Sequence, residues 1–228
     1  MAWKLYEGDC LDVMRGMESE SVDYVFTDPP YGISFKPQRH DRFEVIEGDC
    51  LGNEDLEEFL NQSFSEIKRL LKNNTALHVC SGWSNIDINL RTLKKYFMVK
   101  GLLVWKKNNF GIGYHLRPQH ELILLAFKGE PRPPEKAPSD VWEFKKIQSE
   151  KLLHSCQKPN SLVEKALLLY TKPSDLVLDP FAGSGTTLEV AEQLNRNSVG
   201  IEIDPKYCEI IRKRMNNLQQ TIFSMGVE

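Results

Sequence analysis

Two prolines separate an acid from an aromatic ring in the stretch Asp28-Pro29-Pro30-Tyr31, which directly follows an apolar run. Each proline locks its own φ angle and donates no N–H, and Pro29 also keeps Asp28 out of the α region. The carboxylate and the prolyl carbonyls therefore form a rigid group of acceptors beside a flat ring. Such acceptors can bind both hydrogens of a nucleobase amino group and stabilise the charge that develops when its nitrogen attacks an electrophile. The ring can stack on a base taken out of a duplex, so we predict these four residues to be catalytic.

A second group of residues indicates a nucleoside-binding site near the C-terminus. Asp179 ends an apolar run, Gly183-Ser-Gly185 forms a turn before a helical pattern, and Glu202 ends the next apolar run. The turn lacks the lysine of a phosphate loop and the third glycine of a dinucleotide fingerprint. Asp179 would repel a pyrophosphate but suits a cationic amino-acid group, whereas Glu202 can accept from both hydroxyls of a ribose. The pattern predicts an adenosine that carries an amino acid and a sulfonium.

Each of these groups also has a simpler structural interpretation. The proline stretch alone is equally typical of a rigid turn with a half-buried tyrosine, and a glycine turn alone can serve tight packing between a strand and a helix. The two acids, Asp179 and Glu202, make packing alone a poor explanation of the second group. Because both groups occur in one chain, we favour the functional interpretation of each.

The elements that must position these residues form an alternating pattern of short apolar runs and amphipathic helices. This pattern predicts a single α/β domain over residues 1–228 with a doubly wound, mostly parallel sheet. Ligands bind beyond the carboxyl ends of such strands, where Asp28 and Asp179 lie. Strands are predicted at Leu5–Gly8, Val22–Thr27, Ala76–Cys80, Gly101–Trp105, Glu121–Phe127, Leu176–Asp179 and Val199–Ile203. Helices are predicted at Leu56–Leu71, from Ser161 with Glu164 as a capping box, at Thr186–Leu194, and at Pro205–Leu218 with Asp204 as N-cap.

The composition of the chain excludes several classes of protein. With 228 residues, 41% hydrophobic content and a formal charge of −3, it is an ordinary globular chain without an overall nucleic-acid signature, so any polyanion must bind a local basic surface. The five cysteines form no C-x-x-C pair, which argues against disulfides and against a metal site. No apolar run reaches the length of a membrane span or of a signal core, so we expect a cytoplasmic protein.

Two polar stretches are candidate surfaces for nucleic acid. Residues 32–54 are expected to be a flexible loop, and residues 129–153 a short, proline-rich insert. Candidate phosphate contacts are Lys36, Arg39, His40, Arg42, Lys106, Lys107, Arg132, Lys136, Lys145 and Lys146, with Gln38, Asn108 and Asn109 as candidate base readers. Loop lysines are usually only solvated, so the patch is a better prediction than any one of its members.

Taken together, the motifs resemble those of the β-type S-adenosylmethionine-dependent DNA amino-methyltransferases. The order of "DPPY" before "DPFAGSGTT" is similar to the order in that family, and "YEGDCLDVM", "HSCQKPNSLVEKAL" and "LVWKKNNFGIGYHLRPQHELILLAFKG" resemble further family elements. The resemblance implies S-adenosyl-L-methionine as cofactor, with Asp9 and Cys10 beside its adenine and His154, Lys158 and Pro159 near its methionine part. The other cofactor residues that it implies are Asp28, Asp179, Pro180, Phe181, Ala182, Gly183, Ser184, Gly185, Thr186, Thr187, Glu202 and Ile203.

The resemblance also implies a fold. The sheet would have seven strands with one reversed strand, as in the Rossmann-like methyltransferase fold, and the strand before Asp28 would lie beside the strand before Asp179. Residues 129–153 occupy the place of the target-recognition region and are short for that role. The chain departs from the family pattern at Ser155-Cys156, where Pro-Thr is usual.

The expected activity is methyl transfer to the N6 amino group of adenine in double-stranded DNA, with the base flipped out. Asp rather than Ser at position 28 resembles the adenine-specific members, although cytosine N4 stays an alternative target. A non-catalytic nucleic-acid-binding subunit and a methyltransferase for proteins or small amines are alternatives of other classes. A homodimer or a restriction partner is a further expectation.

Overall fold

A single mixed sheet runs through the computed structural model, which describes residues 3–31, 52–147 and 157–224, with side chains to residue 220. Its strands are β1 (Trp3–Glu7), β2 (Tyr24–Thr27), β3 (Thr75–Ser81), β4 (Met98–Lys106), β5 (His120–Lys128), β6 (Val141–Glu143), β7 (Leu176–Asp179) and β8 (Asn197–Glu202). The helices are α1 (Cys10–Arg15), α2 (Asn53–Leu70), α3 (Ile86–Leu93), α4 (Asn160–Tyr170), α5 (Thr186–Gln193) and α6 (Pro205–Ser224). The strand order is β1-β8-β7-β2-β3-β5-β4-β6.

The topology confirms the predicted fold class. Strand β5 is antiparallel to both of its neighbours, β3 and β4, whereas every other neighbouring pair in the described sheet is parallel. Strand β2 lies between β7 and β3, and its register pairs Tyr24 with Val177 and Val25 with Leu178. The strand that leads to Asp28 therefore adjoins the strand that ends at Asp179, as the resemblance implied.

The sheet has one strand more than predicted. The additional strand β6 lies inside the segment expected to be a proline-rich insert, and it pairs with β4 through Val104 and Val141. Its Trp142 is almost fully buried, at 1% exposure. A strand of three residues is too short to show a strand pattern in the sequence, so only the tertiary contact of Trp142 reveals that this part of the insert belongs to the core.

The core has two main layers, one on each face of the sheet, because successive strand residues point to opposite faces. Val25 belongs to the cluster under α1, α2 and α3, whereas Tyr24 and Phe26 belong to the cluster under α4 and α5. A smaller cluster on the second face holds α6 against α5 and the outer strands. Both faces are therefore covered, as a doubly wound sheet requires.

The predicted capping box at Ser161 and Glu164 is wrong. Helix α4 begins one residue earlier, at Asn160, with Pro159 in the N-cap position and no side-chain cap. The carbonyl oxygen of Pro159 accepts from the amide of Leu162 at 3.0 Å, so the proline, with its fixed φ, starts the helix instead. At α6 the prediction agrees with the structure, because Asp204 Oδ1 accepts from the amide of Lys206 at 2.8 Å.

A buried histidine in the second layer makes stability depend on pH. His78 of β3 is fully buried, Tyr24 Oη is hydrogen-bonded to its Nδ1, and burial lowers the pKa of His78 to about 3. The unfolded chain binds a proton there below about pH 6.5, and the folded chain does not until about pH 3. The contribution of His78 to the free energy of unfolding should therefore be complete above pH 6.5 and fall by about 1.4 kcal/mol per pH unit below it.

We expect urea titrations at pH 7 and pH 5 to show this loss for the wild-type chain and a smaller loss for His78→Leu. The comparison concerns the change with pH, so the cost of the substitution itself cancels. An equal loss of stability in both proteins would contradict the assignment of a neutral, buried His78.

Candidate active site

The two predicted groups of residues meet at one cavity of about 360 Å³ at the carboxyl edge of the sheet. Asp28 follows β2 and Asp179 ends β7, and these strands are parallel neighbours. The loop after β1 and the end of β8 complete the wall on the glycine-turn side. A cavity of this size, with mainly apolar walls and a few convergent acids, is typical of a small-molecule site.

Most residues predicted to hold the cofactor line this cavity. They are Asp9, Cys10, Asp28, Lys158, Asp179, Pro180, Phe181, Ala182, Gly183, Ser184, Thr186, Thr187, Glu202 and Ile203. Two described residues of the predicted set do not line it: Pro159 is the N-cap residue of α4, and Gly185 that of α5. His154 lies outside the described residues.

The glycine turn has a backbone that requires glycine. Gly183 and Gly185 have φ angles of 52° and 80°, and a Cβ on Gly185 would lie 3.0 Å from Ile211 Cγ1. The amide of Gly183 donates to Glu202 Oε2 at 2.7 Å, and the amide of Asp204 donates to Oε1 at 3.0 Å. Glu202 thus holds the turn next to the end of β8, and each of its oxygens retains a lone pair for a ligand.

Asp179 is the second acid beside the glycine turn, and its hydrogen bonds hold the two ends of the same segment. It accepts from Thr187 Oγ1 at 2.6 Å and from the amide of Phe181 at 3.2 Å. Burial raises the pKa of Asp179 to about 7, and the two hydrogen bonds only partly offset that rise. A cationic group bound nearby would favour the charged carboxylate and lower this pKa.

Apolar rings form the wall beside the glycine turn. The ring centroid of Phe181 lies 5.8 Å from that of Phe59 in α2, and both residues line the cavity. Tyr207 of α6 and Ile203 line it as well. Sequence reasoning missed Phe59 and Tyr207; the apolar stripe of α2 contained Phe59, but nothing in that stripe distinguished a cavity wall from the core.

The part of the cavity around Asp28 and Tyr31, the half predicted to be catalytic, contains a group of closely spaced charges. Tyr31 Oη donates to Asp28 Oδ1 at 2.5 Å, and Lys158 Nζ donates to Asp28 Oδ2. Burial raises the pKa of Asp28, although the Lys158 ammonium opposes that rise. The sequence analysis assigned Lys158 to the cofactor; the structure places its ammonium on the carboxylate of Asp28, which is predicted to be catalytic.

A further acid, Glu121 of β5, joins this group and was not predicted as a site residue. Its Oε2 lies 3.3 Å from Lys158 Nζ, and its Oε1 accepts from Lys107 Nζ at 2.5 Å. The only signal in the sequence was a charged residue at the start of an otherwise apolar strand, "HELILLAF".

The candidate DNA contacts occupy different places. Lys36, Arg39, His40, Arg42 and Gln38 lie outside the described residues. Lys106 is exposed and pairs with Glu143 at 2.8 Å. Lys107 forms an ion pair with Glu121, and Asn108 Oδ1 accepts from the amide of Lys146 at 2.9 Å.

Arg132 is exposed, but the structure does not bring it to the cavity edge. Two residues earlier, the amide of Glu130 donates to Asn74 Oδ1 at 3.0 Å, immediately before β3 begins. The insert therefore starts at the opposite, amino edge of the parallel strands. In the part of the chain that the structure describes, no helix is long and apolar enough to cross a membrane, and no three metal-binding side chains form a candidate ion site.

The chain is similar to known DNA methyltransferases over most of its length. A family model described as a DNA methylase matches residues 22–213, which is most of the chain. The type II methyltransferase M.HinfI of Haemophilus influenzae is 31% identical over 94% of this chain and 68% of its own length. The DNA adenine methyltransferase YhdJ of Escherichia coli is 29% identical over 93% of this chain and 82% of its own length.

The fold is also that of solved methyltransferases. The structure of M1.HpyAVI in complex with S-adenosylmethionine superposes with a TM-score of 0.70 at 26% identity, covering 94% of this chain and 99% of that one. The cavity between β2 and β7, its glycine turn and the matched residues all lead to one assignment. The chain belongs to the DNA methylase family of N6 and N4 amino-methyltransferases, which use S-adenosylmethionine to methylate DNA.

Proposed function

We propose that this chain methylates the N6 amino group of adenine in double-stranded DNA, on a base flipped into the cavity beside Tyr31. The observation that carries the proposal is the adjacency of β2 and β7, which puts a rigid acceptor group and a nucleoside-type glycine turn in one cavity. Two observations favour adenine: position 28 is Asp rather than Ser, and the similar YhdJ is named as an adenine methyltransferase.

The residues of the glycine-turn half fit the cofactor. Glu202 offers two anionic acceptors for ribose hydroxyls, Asp179 offers a carboxylate for an ammonium group, and Phe181 offers an apolar face for the adenine ring. S-adenosylmethionine, when bound, supplies an electrophilic methyl group whose carbon bonds to the amino nitrogen as its bond to sulfur breaks.

The residues of the catalytic half act on the amino group of the base. The lone pair of that nitrogen is delocalised into the ring, which makes it a poor nucleophile. Asp28 and the carbonyl oxygen of Pro29 accept hydrogen bonds from its two hydrogens, and so favour a pyramidal nitrogen and stabilise its developing charge. The proton leaves only after the nitrogen has become cationic, so Asp28 need not be a strong base. Closure of the site around the base would strengthen these interactions by excluding water.

Among the described residues, the connection between β4 and β5 lies at the correct edge of the sheet for contact with DNA. Residues 107–119 join β4 to β5 at the cavity edge, and the segment from Lys106 to His120 contains no acidic residue. Phe110, Ile112, Tyr114 and Leu116 of this loop are all exposed. A basic, acid-free loop with exposed apolar side chains suits the phosphates and splayed bases of a duplex opened for methylation. We therefore include this loop in the proposed DNA surface, with Lys106 and Asn108 among its contacts.

One assay tests the proposed reaction. The protein is incubated with labelled S-adenosylmethionine and DNA, RNA or protein, and the product is digested to identify the modified unit. We expect N6-methyladenine in DNA, and none with Asp28→Ala. N4-methylcytosine would replace the adenine assignment by that of the other target of the family, whereas label only in RNA or protein would contradict the proposal.

The Tyr31 hydroxyl makes a further prediction. Stacking alone would make Tyr31→Phe mild, which is what the sequence suggests, but the 2.5 Å bond to Asp28 adds a hydrogen bond to a carboxylate. We expect Tyr31→Phe to lower the single-turnover rate about tenfold, and Tyr31→Ala about a hundredfold or more through the additional loss of stacking. Full activity of the Phe variant would show that the hydroxyl has no part in holding Asp28.

A further inference from the structure

Four charged side chains form a continuous, largely buried row behind the catalytic acid. In order they are Lys107, Glu121, Lys158 and Asp28, with side-chain exposures of 17%, 24%, 6% and 19%. Lys107 follows β4, Glu121 belongs to β5, Lys158 precedes α4 and Asp28 follows β2. We call this set the charge row. The contact between Lys107 and Glu121 crosses the connection of β4 and β5, whereas Lys158 reaches Glu121 and Asp28 from a distant part of the sequence, so the fold assembles the row.

The charges in the row alternate in sign and sum to zero. Lys158 Nζ donates to Asp28 Oδ2 and also lies 3.3 Å from Glu121 Oε2, so two carboxylates share one ammonium. Lys107 Nζ lies 2.5 Å from Glu121 Oε1 and balances the second carboxylate. A buried charge without a partner is costly, which explains why the row contains two complete pairs.

This sharing affects how the catalytic carboxylate meets its substrate. Asp28 must be ionised to accept from the amino group of the base, yet one of its oxygens is already bonded to Lys158. An ammonium bound to Asp28 alone would compete strongly with that amino group. Glu121 attracts the same ammonium from the other side, and so weakens this competition without removing the cation.

We propose that Glu121 is a positioning residue for methyl transfer: by sharing the Lys158 ammonium with Asp28, it weakens the hold of that ammonium on the Asp28 carboxylate and leaves the carboxylate available to the substrate. The inference rests on the proposed role of Asp28 and assigns a function to a strand residue that touches neither base nor cofactor in that proposal.

The groups that face the row determine the direction of each effect on pH dependence. Asp28 is faced by Tyr31 of its own turn, by Lys158, by Glu121, by Cys80 of β3 and by Asp179 of β7. Burial raises the pKa of Asp28, Lys158 lowers it, and Glu121 raises it. Burial would also raise the pKa of Glu121, but Lys158 and Lys107 together hold it below its usual range.

Removing a negative charge from the row and removing a positive charge from it should therefore shift the acid limb of the pH–rate profile in opposite directions. Glu121→Gln removes a negative charge near Asp28, so the acid limb of the pH–rate profile should move to lower pH by about one unit. Lys107→Met leaves Glu121 free to draw Lys158 away from Asp28, so the acid limb should move to higher pH by about one unit. In the double variant, Lys107→Met with Glu121→Gln, the charges of the row again sum to zero. Its acid limb should return towards that of the wild type.

The measurement is the single-turnover rate of methyl transfer between pH 5 and pH 9, with saturating DNA and S-adenosylmethionine. Glu121→Asp, which keeps the charge, should retain the wild-type acid limb even if its rate falls. Glu57→Gln is the matched control, because it changes a surface carboxylate that pairs with Arg91 at 2.6 Å. Its acid limb should coincide with that of the wild type. Because Lys107 lies at the outer end of the row, its variant provides the test even if Glu121→Gln does not fold.

The outcomes separate this inference from the proposed function. A wild-type chain that transfers no methyl group to DNA, or an Asp28→Ala variant that transfers it at the wild-type rate, contradicts the proposed function. An active wild type whose acid limb stays in place in both single variants overturns the inference alone. Shifts of both single variants in the same direction would also overturn it, because general damage to the site does not depend on the sign of the removed charge.

Discussion

Replacing Asp28 by Ala is expected to slow methyl transfer at least about a thousandfold, which corresponds to about 4 kcal/mol of transition-state stabilisation. The substitution removes the anionic acceptor that stabilises the developing charge on the amino nitrogen, and the carbonyl of Pro29 alone cannot replace it. The cavity wall on the glycine-turn side does not depend on Asp28, because Asp179 and Glu202 brace that turn through their own hydrogen bonds. The dissociation constant of S-adenosylmethionine should therefore change only a few-fold.

The structure explains why this variant should still fold. Lys158 loses its bond to Asp28 but retains Glu121 Oε2 at 3.3 Å, so the ammonium is not left unpaired in the cavity. The measurements are the single-turnover rate and calorimetric titration with S-adenosylmethionine. Asp28→Asn is the matched variant, since it keeps the shape and one acceptor and should lose less activity than Ala. Loss of cofactor binding in Asp28→Ala would show that Asp28 belongs to the cofactor site instead.

Replacing Glu202 by Ala should have the opposite effect to Asp28→Ala: it should weaken cofactor binding and leave the rate of methyl transfer nearly unchanged. The side chain offers charge-assisted acceptors to the ribose and also holds the amides of Gly183 and Asp204, so its removal costs both ligand contacts and the shape of the turn. We expect the dissociation constant of S-adenosylmethionine to rise about a hundredfold or more, which corresponds to about 3 kcal/mol. At saturating cofactor, the rate of methyl transfer should remain within about tenfold of the wild type, because Asp28 is intact.

Calorimetric titration and cofactor-dependent kinetics test this second prediction. Glu209→Ala, which removes an exposed acid of α6 whose nearest cation, Lys213, lies 3.8 Å away, is the control and should bind the cofactor normally. If Glu202→Ala bound S-adenosylmethionine as tightly as the wild type, the ribose would have to lie elsewhere. Together with Asp28→Ala, this variant separates cofactor binding from catalysis in the two halves of one cavity.

The elements with strong local patterns could be predicted from the sequence. All seven predicted strands are present. Most of them, such as β2, β3 and β7, are buried apolar runs that stand out from their polar surroundings. Helices α1 and α3 were missed, since six and eight residues are too few to establish a helical period. The capping box failed because the same residue types can start a helix or simply lie on its surface, and Pro159 already supplied the start.

The components of the active site follow a similar division. The sequence could nominate Asp28, Tyr31, Asp179, Glu202 and the glycine turn as site residues because each lies in a short, distinctive motif, and the structure brings them to one cavity. The adjacency of β2 and β7 was expected from resemblance and is confirmed by their register.

Only the tertiary structure decided what surrounds those motifs. Lys107, Glu121 and Lys158 come from separate elements, and the contact between Lys158 and Asp28 spans 130 residues of sequence. Long-range pairing of this kind leaves no periodic signal in a single sequence, since each charge alone resembles an ordinary solvated residue. The sequence therefore indicated which groups are candidates for the chemistry. Folding determined the electrostatic environment of Asp28, because burial and the distance to other charges are properties of the packed chain.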